Sequence, residues 1–162
     1  MKKFLLFFAL MLFFTVNSYS QASFSTGAIG VDVNEYGKIE LFNSAGIYQL
    51  WRTSILVGAS PTAVFDYQND AEQNEPTVLV DNPLMSDYEI YGAYDNTYSG
   101  DPPDVIVKQN AYGWTDGGYI IVKFNMMNSE SAAMNALAGL DIIPYIDEVD
   151  GFDSVSYIPA KQ

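Results

Sequence analysis

Twenty carboxylates and not one histidine or cysteine define the chemistry open to this 162-residue chain. Without imidazole or thiol there can be no Ser-His-Asp triad, no Cys-His pair and none of the usual nitrogen or sulfur sets for zinc. A metal would have to be held by oxygen, and oxygen ligands select calcium. The densest run of donors is DEVDGFD, where Asp147, Glu148, Asp150 and Asp153 fall within seven residues and Gly151 allows a tight bend. Carboxylates this close repel one another unless water or a cation neutralises them. Their spacing departs from the D-x-D-x-D-G of an EF-hand loop, so a Ca2+ site and a solvated acidic loop both fit. A second, sparser cluster places Asp101 and Asp104 around Pro102-Pro103, with Asp95 nearby.

Carboxylates can also cleave glycosidic bonds, provided two of them face each other across a cleft, roughly 5–10 Å apart. Only Asp32, Glu40 and Glu89 lie in strand-like segments, and Asp32 and Glu40 fall on the outer face of their hairpin, where solvation explains them. No catalytic residue is assigned, and the chain reads as non-enzymatic. Aromatics make up 15% of the residues. Trp114, Tyr112 and Tyr119 gather at the end of one hairpin, with Tyr91, Tyr94 and Tyr98 near a neighbouring loop. Exposed planar rings of this kind serve a glycan or protein partner; packed inward, the same rings would build a core. The lone Arg52 is expected to pair with a carboxylate.

The element that must position the aromatic group runs from Val105 to Met127. Asp116-Gly117 supplies the positive φ of a tight turn, and Ile120, Val122, Phe124 and Met126 share one face at period two. A turn centred there sets Trp114 opposite Tyr119, Tyr112 opposite Ile121 and Val107 opposite Met126. A hairpin alone is marginal in water, so it needs a sheet around it and a second layer beneath.

The remaining segments supply more strands. In Ser23–Val33, Ile29, Val31 and Val33 share one face; with Lys38–Phe42 across the turn NEYG they suggest a hairpin from about Ala28 to Phe42, and Asn43–Gly46 makes another turn. Ile47–Val57 is the longest strand, with Ile47, Trp51, Ile55 and Val57 on one face and apolar residues on both faces near its end, as in a central strand. Ala63–Tyr67 is a short return, Gln68–Pro76 a polar loop, Thr77–Val80 a short strand, and Asp87–Tyr94 an alternating one. Asp95–Asp104 is a loop by its turn residues. Asn128–Leu140 reads either as a helix capped at Ser129 or Ser131, or as a turn leading into a strand over Leu137–Ile146; the β surroundings favour the latter. Pro144 confines that strand to an edge or a bulge. Ser154–Ile158 is a last strand candidate. Eight to ten strands at this turn spacing indicate an all-β chain, an antiparallel β-sandwich or jelly roll.

Lys2 and Lys3, the apolar run Phe4–Val16 and the polar NSYSQA form the three parts of a secretory signal peptide. Its apolar run is too short to span a bilayer core, which needs about 20 residues. Residues 1–20 are therefore expected to be removed, leaving one secreted or cell-surface domain over 21–162 with no membrane insertion after cleavage. Loss of the two lysines leaves five basic against twenty acidic residues, a charge near −15. That excess disfavours nucleic acid, which needs a positive face.

The segment from Val107 to Asp147 resembles secreted proteins of Bacteroidetes and Ignavibacteria. The likeness rests on a Q-x-x-Y-x-W strand end (Gln109, Tyr112, Trp114), an apolar strand (Ile120–Phe124), an Asn-bearing turn (Asn128) and an L-x-G-L strand (Leu137, Gly139, Leu140) that leads to Asp147 and Glu148. SILVGA at Ser54–Ala59 is similar to an L-W-I-G-A strand of the same proteins. The resemblance implies a β-sandwich module of unassigned function, often placed ahead of a sorting domain for type IX secretion. This chain would then be a stand-alone module or a truncated reading frame. The expected function is non-catalytic recognition of a glycan or protein, with a structural accessory domain as the alternative and a carboxylate glycosidase as a further one.

Overall fold

Side-chain amides and hydroxyls set the first turns of the chain. The computed structural model describes residues 20–146. The Thr26 hydroxyl oxygen accepts the N–H groups of Ala28 (3.2 Å) and Ile29 (3.1 Å), and Gly27 takes φ +96°. This turn separates β1 (Ala22–Ser25), a strand of its own, from β2 (Ile29–Val33), which opens the hairpin expected from about Ala28. At the next turn the Asn34 side-chain oxygen Oδ1 accepts from Tyr36 N–H (3.0 Å) and Lys38 N–H (2.9 Å), which leads into β3 (Ile39–Asn43). Asn43 repeats the device with Ala45 (2.9 Å) and Ile47 (3.0 Å), opening β4 (Tyr48–Ser60). Asn is suited to such turns because its short side chain reaches backbone two residues on.

After β5 (Ala63–Phe65) come β6 (Glu72–Leu79), β7 (Tyr88–Asp95), β8 (Val105–Gly113), β9 (Ile120–Asn128) and β10 (Leu137–Pro144). All pairings are antiparallel. One sheet runs β1-β2-β3-β4-β10 with β5 also on β4, and the other runs β6-β7-β8-β9. Each sheet is mostly a meander in chain order, so the architecture is a β-sandwich without the Greek-key connections of a jelly roll. The hairpin register holds as the sequence reads it: Tyr112 opposes Ile121 and Val107 opposes Met126. The ladder stops at Gly113–Ile120, and a six-residue loop replaces the expected two-residue turn, with Asp116 at φ +61°.

Two further segments settle differently or as expected. Gln68–Pro76 is not all loop, because β6 begins at Glu72 and pairs along β7 with register shifts on both sides of Glu75. Pro76 fits there because β6 is an edge strand. Asn128–Leu140 forms a turn and then a strand; Asn128 accepts Glu130 N–H (2.9 Å) and donates to Ala132 O (2.8 Å). The Ser154–Ile158 strand candidate and the signal segment before residue 20 lie outside the described residues.

The core fills the space between the sheets in two clusters. Phe24, Val31, Val33 and Ile39 meet Ile90 and Ala111 in one, and Ile55, Val57 and Phe65 meet Tyr94, Val105 and Val107 in the other. Every one of these residues comes from β1 to β5, β7 or β8. Strands β9 and β10, the facing edges of the two sheets, contribute no residue to the buried sets.

Candidate functional site

Of the three aromatics that the hairpin was expected to group, the fold brings two together. The rings of Trp114 and Tyr119 lie 5.6 Å apart and tilted by 31°, and Tyr119 is 58% exposed. Tyr112 does not join them and is only 9% exposed. The reason is position: Tyr112 sits inside the ladder between Glu89 and Ile121, whereas Trp114 lies past its end. Burial, then the Glu89 charge, raises the Tyr112 pKa.

The Trp114–Tyr119 loop is firmly tethered. Gly117 N–H donates to Trp114 O (2.8 Å), Asp116 N–H to Thr26 O (2.7 Å), and the Thr26 hydroxyl to Gly117 O (2.7 Å). Asp87 ties in the β6–β7 loop: its carboxylate accepts Thr115 N–H at 2.8 Å and its own N–H donates to Gly113 O at 3.1 Å. The hydrogen bond from Thr115 holds the Asp87 pKa below its ordinary value. The same β6–β7 loop carries Leu84 and Met85 into solvent.

A larger aromatic group, missed by the sequence reading, covers the outer face of the β1–β4 sheet. Phe42 and Tyr48 have centroids 4.4 Å apart, Tyr48 and Trp51 5.1 Å, and Trp51 and Tyr145 6.2 Å. Lys38 Nζ lies 4.4 Å from the Trp51 ring centre and pairs with Glu40. Simple alternation placed Trp51 on the same face as Ile55 and Val57. The ladder instead pairs Ile39 with Thr53 but Leu41 with Leu50, a bulge that inserts one residue and turns Trp51 outward. The available signal was the run of apolar residues on both faces of this strand.

The third feature is an open seam between the sheet edges. The inward face of β4 is buried beside β10: Val57 opposes Ala138 and Ile55 opposes Leu140, while half-buried Thr53 stands between Ile142 and fully buried Ile39. Leu140 and Ile142 share that inward face yet remain 53% and 56% exposed, because β9 does not reach across to them. Val57, Val105, Met126, Met127 and Met134 line a groove of about 180 Å³ in this seam. Outside it, Asp141 pairs with Arg52 at 2.5 Å, the partner that Arg52 was expected to find.

Among the described residues the carboxylates do not converge. Asp32 and Glu40 oppose each other across the β2–β3 ladder on the open outer face, not across a cleft, and Glu40 is paired with Lys38. Glu89 accepts from Asn110 Nδ2 at 2.7 Å. In the 95–104 loop the Asn96 amide donates to Asp104 Oδ1 (3.0 Å) and Asp101 O (2.8 Å), while Asp95 accepts from Thr97 and Asn74. Among the described residues no three acidic side chains are grouped to hold a metal ion. The candidate calcium ligands Asp147, Glu148, Asp150 and Asp153 lie outside those residues. No described helix is long and apolar enough to cross a membrane. Compared with protein-family models, with curated proteins and with solved structures, the chain finds no match.

Proposed function

We propose that this chain is a non-catalytic, exported interaction module that receives an extended apolar segment of a protein partner in the seam between β9 and β10. One observation carries this reading: Leu140, beside buried Ile55, and Ile142, beside half-buried Thr53, face inward and remain half exposed. Native sheets guard their edges with charges, prolines or bulges, because an open edge pairs with any strand offered to it. Along β10 the one charge, Asp141, is neutralised by Arg52, and Pro144 guards only the end. An added strand would gain backbone hydrogen bonds from the edge and specificity from the seam, the usual logic of strand addition.

Export is supported by the basic, apolar and polar succession at the N-terminus and by the resemblance to secreted modules. The accessory-domain reading calls for the same seam, with the strand supplied by a neighbouring domain of the same polypeptide. Calcium at Asp147, Glu148, Asp150 and Asp153 rests on the density of carboxylates alone, and glycan contact at Trp114 and Tyr119 rests on their exposed pairing.

A peptide library selected on immobilised residues 21–162 tests the central claim. Selected peptides should alternate apolar and polar residues and lose binding to the Leu140→Lys/Ile142→Lys variant, while Trp114→Ala retains it. Peptides that depend on Trp114 and ignore the β10 substitutions would move the recognition surface to the loop end.

A further inference from the structure

The aromatic group on the outer face of the β1–β4 sheet is separate from the seam and has its own recess. Trp51, Ile143, Pro144 and Tyr145 line a pocket of about 270 Å³. We propose that this pocket binds one uncharged sugar ring of a neutral glycan, stacked on Trp51.

Four observations converge on that ligand class. The lining side chains among the described residues carry no charge, and the cation at the Trp51 ring, Lys38, is already paired with Glu40, so an anionic ligand would find no free counter-charge. The pocket is smaller than the roughly 300–1,000 Å³ of sites for drug-sized molecules, which suits a single ring. Trp51 is 42% exposed although its neighbours hold it on several sides, so a flat apolar surface is presented rather than buried. The C–H bonds on one face of a pyranose carry partial positive charge and meet the negative face of an aromatic ring. The fourth observation is the polar rim. Lys38, paired with Glu40, lies over the Trp51 ring, and Tyr145 lines the pocket, so ring hydroxyls have donors and acceptors at hand.

The surroundings also exclude the charged relatives of that ligand. Asp32 and Glu40 stand next to each other on the same face, and the chain carries a formal charge of −13. A uronate or sulfated polymer would be repelled. The site is built in advance: Tyr145 N–H donates to Gln49 O at 3.4 Å, Pro144 has a fixed φ, and the Tyr145 ring meets Trp51 edge-on at 65°. Little ordering would then oppose binding.

Trp51 and Trp114 are the only tryptophans, so Trp114→Phe makes Trp51 the sole reporter. In that background, emission is recorded against cellohexaose, laminarihexaose, mannohexaose and maltohexaose, with polygalacturonate as the charged control. The expected result is a saturable change with at least one neutral oligosaccharide, weakened about tenfold by Tyr145→Ala, since opening one aromatic wall of the pocket removes on the order of 1.4 kcal/mol. Tyr145→Phe should retain that wall and most of the affinity, and circular dichroism verifies that each variant is folded. Silence toward all four neutral sugars at about 10 mM, well above a millimolar Kd, overturns the proposal. An equal response to polygalacturonate, or one unaffected by Tyr145→Ala in a folded protein, overturns it as well.

Discussion

The Tyr94 phenol oxygen lies 2.9 Å from Thr77 Oγ1 in the interior of the sandwich, and Thr77 in turn donates to Asn34 O at 3.0 Å. Because a carbonyl can only accept, the one hydroxyl proton of Thr77 is committed to Asn34, and Tyr94 must donate to Thr77. The chain of two bonds links β7, β6 and the β2–β3 turn, and so joins the two sheets through polar groups. Burial holds the phenol far above its ordinary pKa, so it remains a donor.

Two substitutions should separate the bond from the packing around it. Tyr94→Phe keeps the ring and removes one neutral hydrogen bond, for a loss of about 1 kcal/mol in urea unfolding. Gly92→Ala sets a methyl against the Tyr94 hydroxyl and 2.9 Å from Thr77 Oγ1, and overpacking of this kind costs about 1–3 kcal/mol. The double variant should be more stable than the sum of the two losses implies, because the deleted hydroxyl is the atom that the new methyl meets first. Strict additivity would show that the methyl is accommodated elsewhere.

Gln109 is a conflict inside the core. It is buried on the inward face of β8, and neither its amide oxygen nor its amide nitrogen has a hydrogen-bond partner. An amide buried without partners costs roughly 1–3 kcal/mol. Gln109→Met, similar in length and apolar, should therefore raise the melting temperature by several degrees. A fall instead would place a bound water or another partner at the amide.

Asp32 should make stability fall as pH rises. Burial, then the Glu40 charge across the ladder, raises its pKa above the ordinary carboxylate value of 3.8. The folded state thus holds this proton to a higher pH than the unfolded state, so stability declines from pH 3.8 through the folded pKa and is level above it. Asp32→Asn should raise the melting temperature by about 1–2 °C at pH 7, in the range of surface substitutions, and by nothing below pH 3.8. A gain that persists at pH 3 would have to come from something other than the charge.

The sequence made the strands and the hairpin register legible because alternation and turn residues act locally. Tyr112–Ile121 and Val107–Met126 follow from counting outward from Asp116-Gly117, and the loop length does not disturb that count. Trp51 was not legible in the same way. A bulge between Leu50 and Thr53 changes which residues face inward, and it shows only in the register of β4 against its partners β3 and β10. The polar start of β6 was hidden too: Glu75 belongs in a strand because Lys108 and Tyr91, distant in sequence, pair with it at 2.8 Å. The open seam depends on where β9 stops relative to β10, and no local pattern encodes that distance.

Asp87 should behave oppositely to Asp32, and its effect should appear at the loop end. Its pKa is lowered by the Thr115 backbone N–H first and the Thr115 side chain second. A depressed carboxylate contributes stability that is present above pH 3.8 and is lost as pH falls through the folded pKa. Asp87→Ala removes both that charge and the tether between the β6–β7 loop and the Trp114 loop. In a Trp51→Phe background, where Trp114 is the sole tryptophan, the substitution should increase acrylamide quenching at pH 7. The wild-type tether should approach the variant's quenching only at the most acidic pH. Equal quenching with and without Asp87 at pH 7 would show that the two Thr26 contacts hold the loop by themselves, and that the carboxylate positions only its own segment.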